Sequence, residues 1–502
     1  MHPSHTILFP LLGAVWLGCR TGMSRKGAGR FALVWALLSL LLACGSPGEE
    51  WLLPWMPDAG MNLSFRVDGL SRLFLVLTGF VVSFAIAASL RDERAGRGHH
   101  ALVLVMQSAL FGVFTARHFI PWFLCWEMTL IPSYLLIRLW GGAGAPKAAL
   151  RFFIMTLGGS AFLLVGFLAL QLSAGTMDFS ELGKLAADKQ LTAALAKTFA
   201  ASGLSGHTLL SIIALAVFLG FAVKLPVVPF HAWLPAAYAE APAPVTMLLT
   251  GLLSKMAVYG LLVIFLPVFS EVLPALAPLL GWLAAATVLL GALAALAQTD
   301  LKRILAYSSV NHLGYCALAI AAAAAMQGDR SALAAALSGT VLQAFNHGVI
   351  ASTLFFGIGI LESRGKGRRG LGDFGGLRAR TPVFCGFFGL AVFASLGLPG
   401  LSGFIGEFLI FAGVFALTPA MAVVSILGLL LTAVFLLRMM RKVFWGPLKP
   451  SLADWPDLTG FERLLFGLAT AMIAIPGLFP QVLLRFANPA IIELLDLLRP
   501  TP

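Results

Sequence analysis

The chain has 502 residues, 59% of them hydrophobic and only 11% charged, with a formal net charge of +12. Soluble domains carry roughly a quarter charged residues, so a large soluble core is excluded and an all-α polytopic membrane protein is expected. The basic excess fits cytoplasmic loops better than nucleic-acid binding, and five scattered cysteines without a C-x-x-C pattern support neither a disulfide framework nor a metal or iron–sulfur site.

Apolar runs of spanning length recur about 14 times. They centre on residues 6–19, 31–45, 68–90, 100–116, 118–139, 149–173, 209–232, 243–268, 274–297, 303–326, 331–361, 383–417, 419–440 and 461–482. The first run lacks a basic region before it and is followed by Arg20, Arg25, Lys26 and Arg30. That pattern fits a first span rather than a signal peptide. Later basic clusters fall after odd-numbered spans: Arg91 to Arg97, Arg138 to Arg151, Lys302 and Arg303, Arg364 to Arg380, and Arg438 to Lys449. These loops are expected in the cytoplasm, with both termini on the periplasmic side of a bacterial inner membrane. Residues 174–206 form the longest outer segment. Leu182, Leu185, Leu191, Leu195 and Phe199 recur there at near-helical spacing, which suggests surface helices, with a solvated loop as the alternative. The basic stretch Arg364–Arg380 is expected to meet anionic lipid or a partner domain, not nucleic acid.

Ionisable residues inside the apolar runs are the functional signal, because a charge in hydrocarbon is costly. Glu127 lies in FLCWEMTLIP, Lys224 in FAVKLPVVPFHAWLP and Lys255 in LLTGLLSKMAVYG. His312 and His347 lie on neighbouring spans, and Glu407 lies in LPGLSGFIGEFLIFAG. Burial lowers a lysine's pKa and raises a carboxylate's, so such groups can exchange protons near neutral pH. Glu127 is read as a bias on Lys224, Lys255 and the histidines as relay groups, and Glu407 as an exit. Each has a bland alternative: snorkelling for Glu127 and Lys255, anchoring a helix break for Lys224, and structural packing for the histidines and Glu407. His231 fits either access control or plain hydrogen bonding.

Proline and glycine near Lys224 (Pro226, Pro229) and before Glu407 (Gly397, Pro399, Gly400, Gly403) predict broken helices near residues 224 and 400. Corresponding breaks in oppositely oriented halves suggest two inverted five-helix repeats, a transporter architecture. The expected division is 1–95 for the N-terminal spans, 96–268 and 269–445 for the repeats, and 446–502 for a last span with a short apolar tail. No nucleotide-binding loop or haem ligand pair stands out, so no cofactor is expected in this chain.

The motifs FLCWEMTLIPSYLLIRLWGG, VKLPVVPFHAWLP, LAQTDLKRILAYSSVNHLGY and LPGLSGFIGEFLIFAG resemble the antiporter-like subunits of respiratory complex I, the proton-translocating NADH–quinone oxidoreductase. The resemblance runs from about residue 60 to 445 and is closest to the M type, with Glu407 where related types carry lysine. It implies a proton-translocating membrane-arm subunit. Glu127 and Lys224 would form a coupling pair, Lys255 a central relay, His312 and His347 the axis, and Glu407 the terminal site. It also implies partners: other antiporter-like and small hydrophobic membrane subunits, with flavin, iron–sulfur clusters and quinone held elsewhere in the complex. The chain departs from the family's L-P-D-A-H stretch, having Leu234, Pro235, Ala236, Ala237 and Tyr238 instead. A subunit of an Mrp-type Na⁺/H⁺ antiporter, or of a hydrogenase- or ferredoxin-linked complex, is the alternative. A structural spacer and a membrane transferase are weaker ones.

Overall fold

The structure, a computed structural model, describes residues 3–46, 48–56 and 61–498. Helices α1 (Pro3–Cys19) and α2 (Arg25–Cys44) lead into an antiparallel hairpin, β1 (Trp51–Met56) and β2 (Met61–Phe65). Next come α3 (Gly69–Ser89), α4 (Arg97–Thr115), and the pair α5 (Phe119–Met128) and α6 (Leu130–Trp140), which meet at Thr129. Helix α7 (Ala145–Ala174) is followed by two short helices, α8 (Phe179–Ala187) and α9 (Gln190–Thr198), then α10 (Gly206–Lys224) and α11 (Leu234–Glu240). Helices α12 (Ala243–Leu248), α13 (Ser254–Gly260) and α14 (Leu266–Val268) run on as one, joined by π-helical turns at Leu249–Leu253 and Leu261–Phe265. The second half holds α15 (Leu273–Ala297), α16 (Leu301–Ala324), α17 (Arg330–Arg364), α18 (Pro382–Ser395), α19 (Ser402–Leu417), α20 (Pro419–Phe444), α21 (Gly460–Leu478) and α22 (Gln481–Leu498).

Twelve helices among the described residues are long and apolar enough to cross a membrane, and three shorter apolar ones accompany them. Every apolar segment of the sequence falls on one of these helices. By length the count is twelve, not about fourteen, because the first helix is short and the segment at 383–417 is split in two. Both expected breaks are present. Helix α10 stops at Lys224 and the chain turns until α11, while α18 and α19 are separated by Leu396–Leu401. Gly397 and Gly400 adopt φ of +69° and +90° there, conformations closed to most side chains.

Three features differ from the sequence reading. Among the described residues the hairpin is the exception to an otherwise helical fold, and Pro54 interrupts its apolar run. The expected short tail is part of an 18-residue amphipathic helix, α22, which buries Leu483, Ala487, Ile491 and Leu495 at a spacing of one turn. It is tied to α17 by Ser338, whose hydroxyl donates to Asn488 at 3.2 Å, and by an Arg330–Asp496 ion pair. Lys302, expected in a loop, lies in the first turn of α16 and is 1% exposed. The chain termini, expected outward, lie outside the described residues.

Packing places the charged positions at the centre. The α12–α14 helix, α16 and α17 are almost wholly enclosed by their neighbours, while α7 and α20 expose apolar side chains such as Ile154, Val165, Leu172, Leu427 and Leu430. An apolar outer surface around a polar interior is what a lipid environment selects. Glycine sets the closest approach. A Cβ on Gly348 of α17 would stand 2.9 Å from the Gly251 carbonyl oxygen in the first π turn, so only bare backbone fits.

Candidate functional site

Lys255 follows that π turn and is fully buried. Its Nζ donates to the Thr250 carbonyl at 2.6 Å and meets His347 Nδ1 at 2.8 Å and Ser254 Oγ at 3.4 Å. π turns inside α-helices often mark functional positions, because the widened turn changes what each carbonyl faces. The ring of His347 lies 5.6 Å, centre to centre, from that of His312.

His312 bridges to the terminal carboxylate. Its Nδ1 faces the Ser308 carbonyl at 2.7 Å, and its Nε2 faces the Ser395 carbonyl at 3.0 Å and Glu407 Oε1 at 3.6 Å. A neutral imidazole has one N–H and can satisfy one of these carbonyls at a time; the ring can therefore hold a proton on either side. Glu407 is 5% exposed. It sits in the second turn of α19, and the break before it lets Gly397 approach: a Cβ there would be 2.5 Å from Glu407 Oε2. Gln343 lies against the same carboxylate. A cavity of about 10 Å³ borders His347, Ser308, Ser309 and Ser395, room for about one water. Lys255, His347, His312 and Glu407 thus form one contiguous run of ionisable groups.

Glu127 and Lys224 stand apart from that run, and the expected ion pair between them is open. Lys224, at the C-terminal end of α10, holds its Nζ over the Trp126 ring at 5.0 Å, a cation–π contact. Glu127 Oε1 is buried without a hydrogen-bond partner, though the carboxylate is close enough to act on Lys224 through space. The reason is local. Glu127 is the penultimate residue of α5, before the break at Thr129, and the neighbouring Trp126 offers its ring to Lys224. His231 lies in the turn after Lys224, 6.1 Å from the Tyr307 ring, with Nδ1 unpartnered.

The sequence reading missed a charged network on the face of the basic loops. Lys302 Nζ bonds Glu362 at 2.6 Å and the Ala241 carbonyl at 2.9 Å. Arg369 reaches Asp300 at 2.6 Å and Glu240 at 3.4 Å. Glu240 in turn accepts from the Gly144 N–H at 3.0 Å, so it fastens the α6–α7 turn to α11. Glu240, Lys302, Glu362 and Arg369 line a cleft of about 650 Å³ that opens on this face. Lys302 and Arg369 read as loop charges because basic residues cluster there; Glu362, at the end of a long apolar run, was the available signal.

On the opposite face, Asp178 caps α8 by accepting from the Ser180 and Glu181 N–H groups at 2.9 and 3.0 Å. Burial pushes its carboxyl up, with the Glu181 charge adding to it against those hydrogen bonds. Burial works against the charge of Arg117, but Asp68 and Tyr259 hold it above the ordinary arginine range.

A membrane-embedded helical bundle with two broken helices and a buried file of lysine, histidine and glutamate defines an ion-translocating class of protein. The family model described as NADH:quinone oxidoreductase/Mrp antiporter, TM, matches residues 116–433, and the chain belongs to this family. It is 33% identical to an NADH-quinone oxidoreductase subunit M from Rhodobacter capsulatus, over 92% of this chain and 88% of that one. It is 39% identical to an NAD(P)H-quinone oxidoreductase chain 4 from Synechococcus sp. (strain JA-3-3Ab), over 79% and 72%. A chain of respiratory complex I from Thermus thermophilus superposes with a TM-score of 0.85 at 28% identity, covering 99% of this chain and 100% of that one. A chain of the Mrp complex from Dietzia sp. DQ12-45-1b shares the fold, with a TM-score of 0.82 at 21% identity over 98% of each chain.

Proposed function

We propose that this chain is an M-type proton-translocating subunit in the membrane arm of an NADH–quinone oxidoreductase. Quinone reduction elsewhere in the complex drives proton movement through it. The observation that carries this reading is the contiguous run Lys255–His347–His312–Glu407. A proton taken up by Lys255 passes to His347, across to His312 and on to Glu407. The gap between the two imidazole rings needs a ring movement or a water. Glu127 and Lys224 bias the run electrostatically: drawing Glu127 towards Lys224 holds its charge, and withdrawing it favours proton release.

The division at residues 95, 268 and 445, with inverted repeats at 96–268 and 269–445, belongs to this reading. So does the orientation in a bacterial inner membrane with basic loops in the cytoplasm and both termini outward. Other antiporter-like and small hydrophobic membrane subunits are the expected neighbours. Flavin, iron–sulfur clusters and quinone belong to partner subunits, and electron transfer is theirs. The test is proton translocation by the assembled complex carrying Lys255→Met: undiminished flux would refute the relay. Sodium-dependent exchange in the absence of quinone reduction would point instead to the antiporter branch of the family.

A further inference from the structure

An indole ring stands where α5, α7 and α10 meet around the Lys224 ammonium. Trp126 of α5 is 1% exposed, and Lys224, the last residue of α10, is 2% exposed. The ammonium lies over the Trp126 ring, 5.0 Å from its centre. On α7, the Ser160 hydroxyl accepts from the Trp126 indole N–H at 3.0 Å and donates to the Thr156 carbonyl at 3.0 Å. An indole has one donor and no acceptor, so this bond commits its whole hydrogen-bonding capacity. Trp122 packs on the ring at 4.8 Å and Phe221, one turn before Lys224, meets it edge-on at 5.8 Å. The plane of the ring is therefore set from three sides.

Glycine fixes α7 against α10 at the same place. A Cβ on Gly220 would stand 2.7 Å from the Gly159 carbonyl oxygen, and one on Gly159 would meet Val223 Cβ at 3.0 Å. Gly159 precedes Ser160 and Val223 precedes Lys224. The residue that pins the ring and the residue that carries the ammonium thus sit on two backbones in direct contact. Glu127, next to Trp126 on α5, has its Oε1 buried with no hydrogen-bond partner. Two neighbouring groups on one helix can therefore compensate the same cation: an aromatic face, now occupied, and a carboxylate, now open.

We propose that Trp126 is a positioning residue that holds the Lys224 ammonium in the open state of the Glu127–Lys224 pair. A buried ion pair with no alternative is a trap, because the ammonium could leave the carboxylate only for a place that offers it nothing. The indole face supplies that second place, and tryptophan is the strongest aromatic partner for a desolvated cation. The ring and the carboxylate compete, so the population of open pairs follows the difference between the two attractions. Ser160 keeps the face turned towards the ammonium. No proton passes through Trp126 itself. The proposal rests on the reading of Glu127 and Lys224 above as an electrostatic bias on the run.

The test uses the assembled complex in liposomes, reading protons moved per quinone reduced beside a thermal melt of the same preparation. Trp126 is replaced site-specifically by tryptophan analogues carrying increasing numbers of ring fluorines. These drain electron density from the face and keep the shape and the N–H. Fluorination also makes the N–H a better donor, so a loss cannot come from the Ser160 bond. Flux should fall stepwise along the series, on the order of tenfold for the most fluorinated ring, with the melt unmoved. Trp126→Tyr should keep more flux than Trp126→Leu. Ser160→Ala frees the ring to turn and should lower flux several-fold, which keeps the proposal testable if the analogues are not incorporated. Flux that is indifferent to fluorination or to Ser160→Ala, beside a loss in Lys224→Met, overturns the proposal and leaves the bias reading standing. Undiminished flux in Lys224→Met overturns the bias reading and the proposal with it. Equal loss in Trp126→Tyr and Trp126→Leu, with a lowered melt in both, also overturns the proposal, because a packing defect would then be the cause.

Discussion

Replacing Lys255 by methionine separates stability from function in one experiment. Methionine has a similar length, so the space beside Thr250, Ser254 and His347 stays filled. A lysine at mid-membrane costs about 2.5–3.5 kcal/mol on insertion scales, and methionine removes that cost. Against it, the Thr250 carbonyl loses its donor at 2.6 Å and His347 Nδ1 loses its partner at 2.8 Å. Each orphaned group costs about 1–3 kcal/mol, so the terms nearly cancel. Thermal unfolding of the complex should therefore move little, while proton translocation falls by at least about tenfold. The assay is proton flux into liposomes per quinone reduced, beside a thermal melt of the same preparation. Undiminished flux would refute the relay. A large loss of stability with a parallel loss of flux would show that Lys255 is a structural group.

Gly348→Ala should cost about 1–3 kcal/mol by overpacking, since its Cβ meets the Gly251 carbonyl and Leu77 Cδ1 at 2.9 Å. The shift of α17 should stretch the Lys255–His347 contact and slow translocation; an unchanged melt and rate would contradict this. Lys302→Met takes from Glu362 its close partner, leaving Arg369 at 3.7 Å, and from the Ala241 carbonyl one of its two donors. Because Glu362 is a quarter exposed, the loss should fall short of the ~3–5 kcal/mol of a fully buried pair, and a denaturation midpoint measures it. Asp178 has its folded pKa raised above the ordinary 3.8. The folded state then binds the extra proton more tightly, so stability is greatest in acid and declines as pH rises through the window between the two values. Asp178→Asn keeps the α8 cap and should flatten this dependence, read by hydrogen exchange of the α8 amides across pH.

The spans were legible in the sequence because hydrocarbon demands long apolar runs, and that demand leaves a mark in every window. The two breaks were legible because Pro226 disrupts a helix and Gly397 and Gly400, flanking Pro399, weaken one. Lys255, His312, His347 and Glu407 were legible as charges out of place, but their contact order needed the fold: the Lys255–His347 link joins residues far apart in sequence. What the sequence could not show of Glu127 and Lys224 is that Lys224 Nζ lies over the Trp126 ring rather than in a hydrogen-bonded ion pair. Lys302 was hidden by its surroundings, where one buried cation looks like any other in a basic cluster. The hairpin and α22 escaped because both are surface elements whose form is set by what they lie against: the apolar face of α22 is filled by α3 and α17.

Continuity of the helices, more than the identity of any one residue, explains why these charges can sit in the interior. An unbroken helix in lipid has its carbonyls occupied and offers a buried charge little. Here Lys224, Lys255 and Glu407 sit at or beside places where regular helix geometry lapses, and His312, within α16, reaches such a place; His347, inside the unbroken α17, is the exception. Lys224 ends α10, where the unpaired carbonyls and the negative end of the helix dipole favour a cation. Lys255 follows a π turn and takes a carbonyl from within it. His312 Nε2 reaches the Ser395 carbonyl at the very end of α18, a group that a continuous helix would have kept for itself. Glu407 lies in the second turn after α19 begins, near the positive end of that dipole, though beyond the first turn, where the effect is strongest. Closing either break with helix-forming residues would therefore be expected to harm translocation more than removing any single apolar neighbour. A variant with alanine at both Gly397 and Gly400 tests this: those positions have φ that alanine resists, so the break must shift. Loss of flux should accompany a shift of the Ser395 carbonyl from His312, while unchanged flux would mean the break only shapes the bundle and does not serve the charges within it.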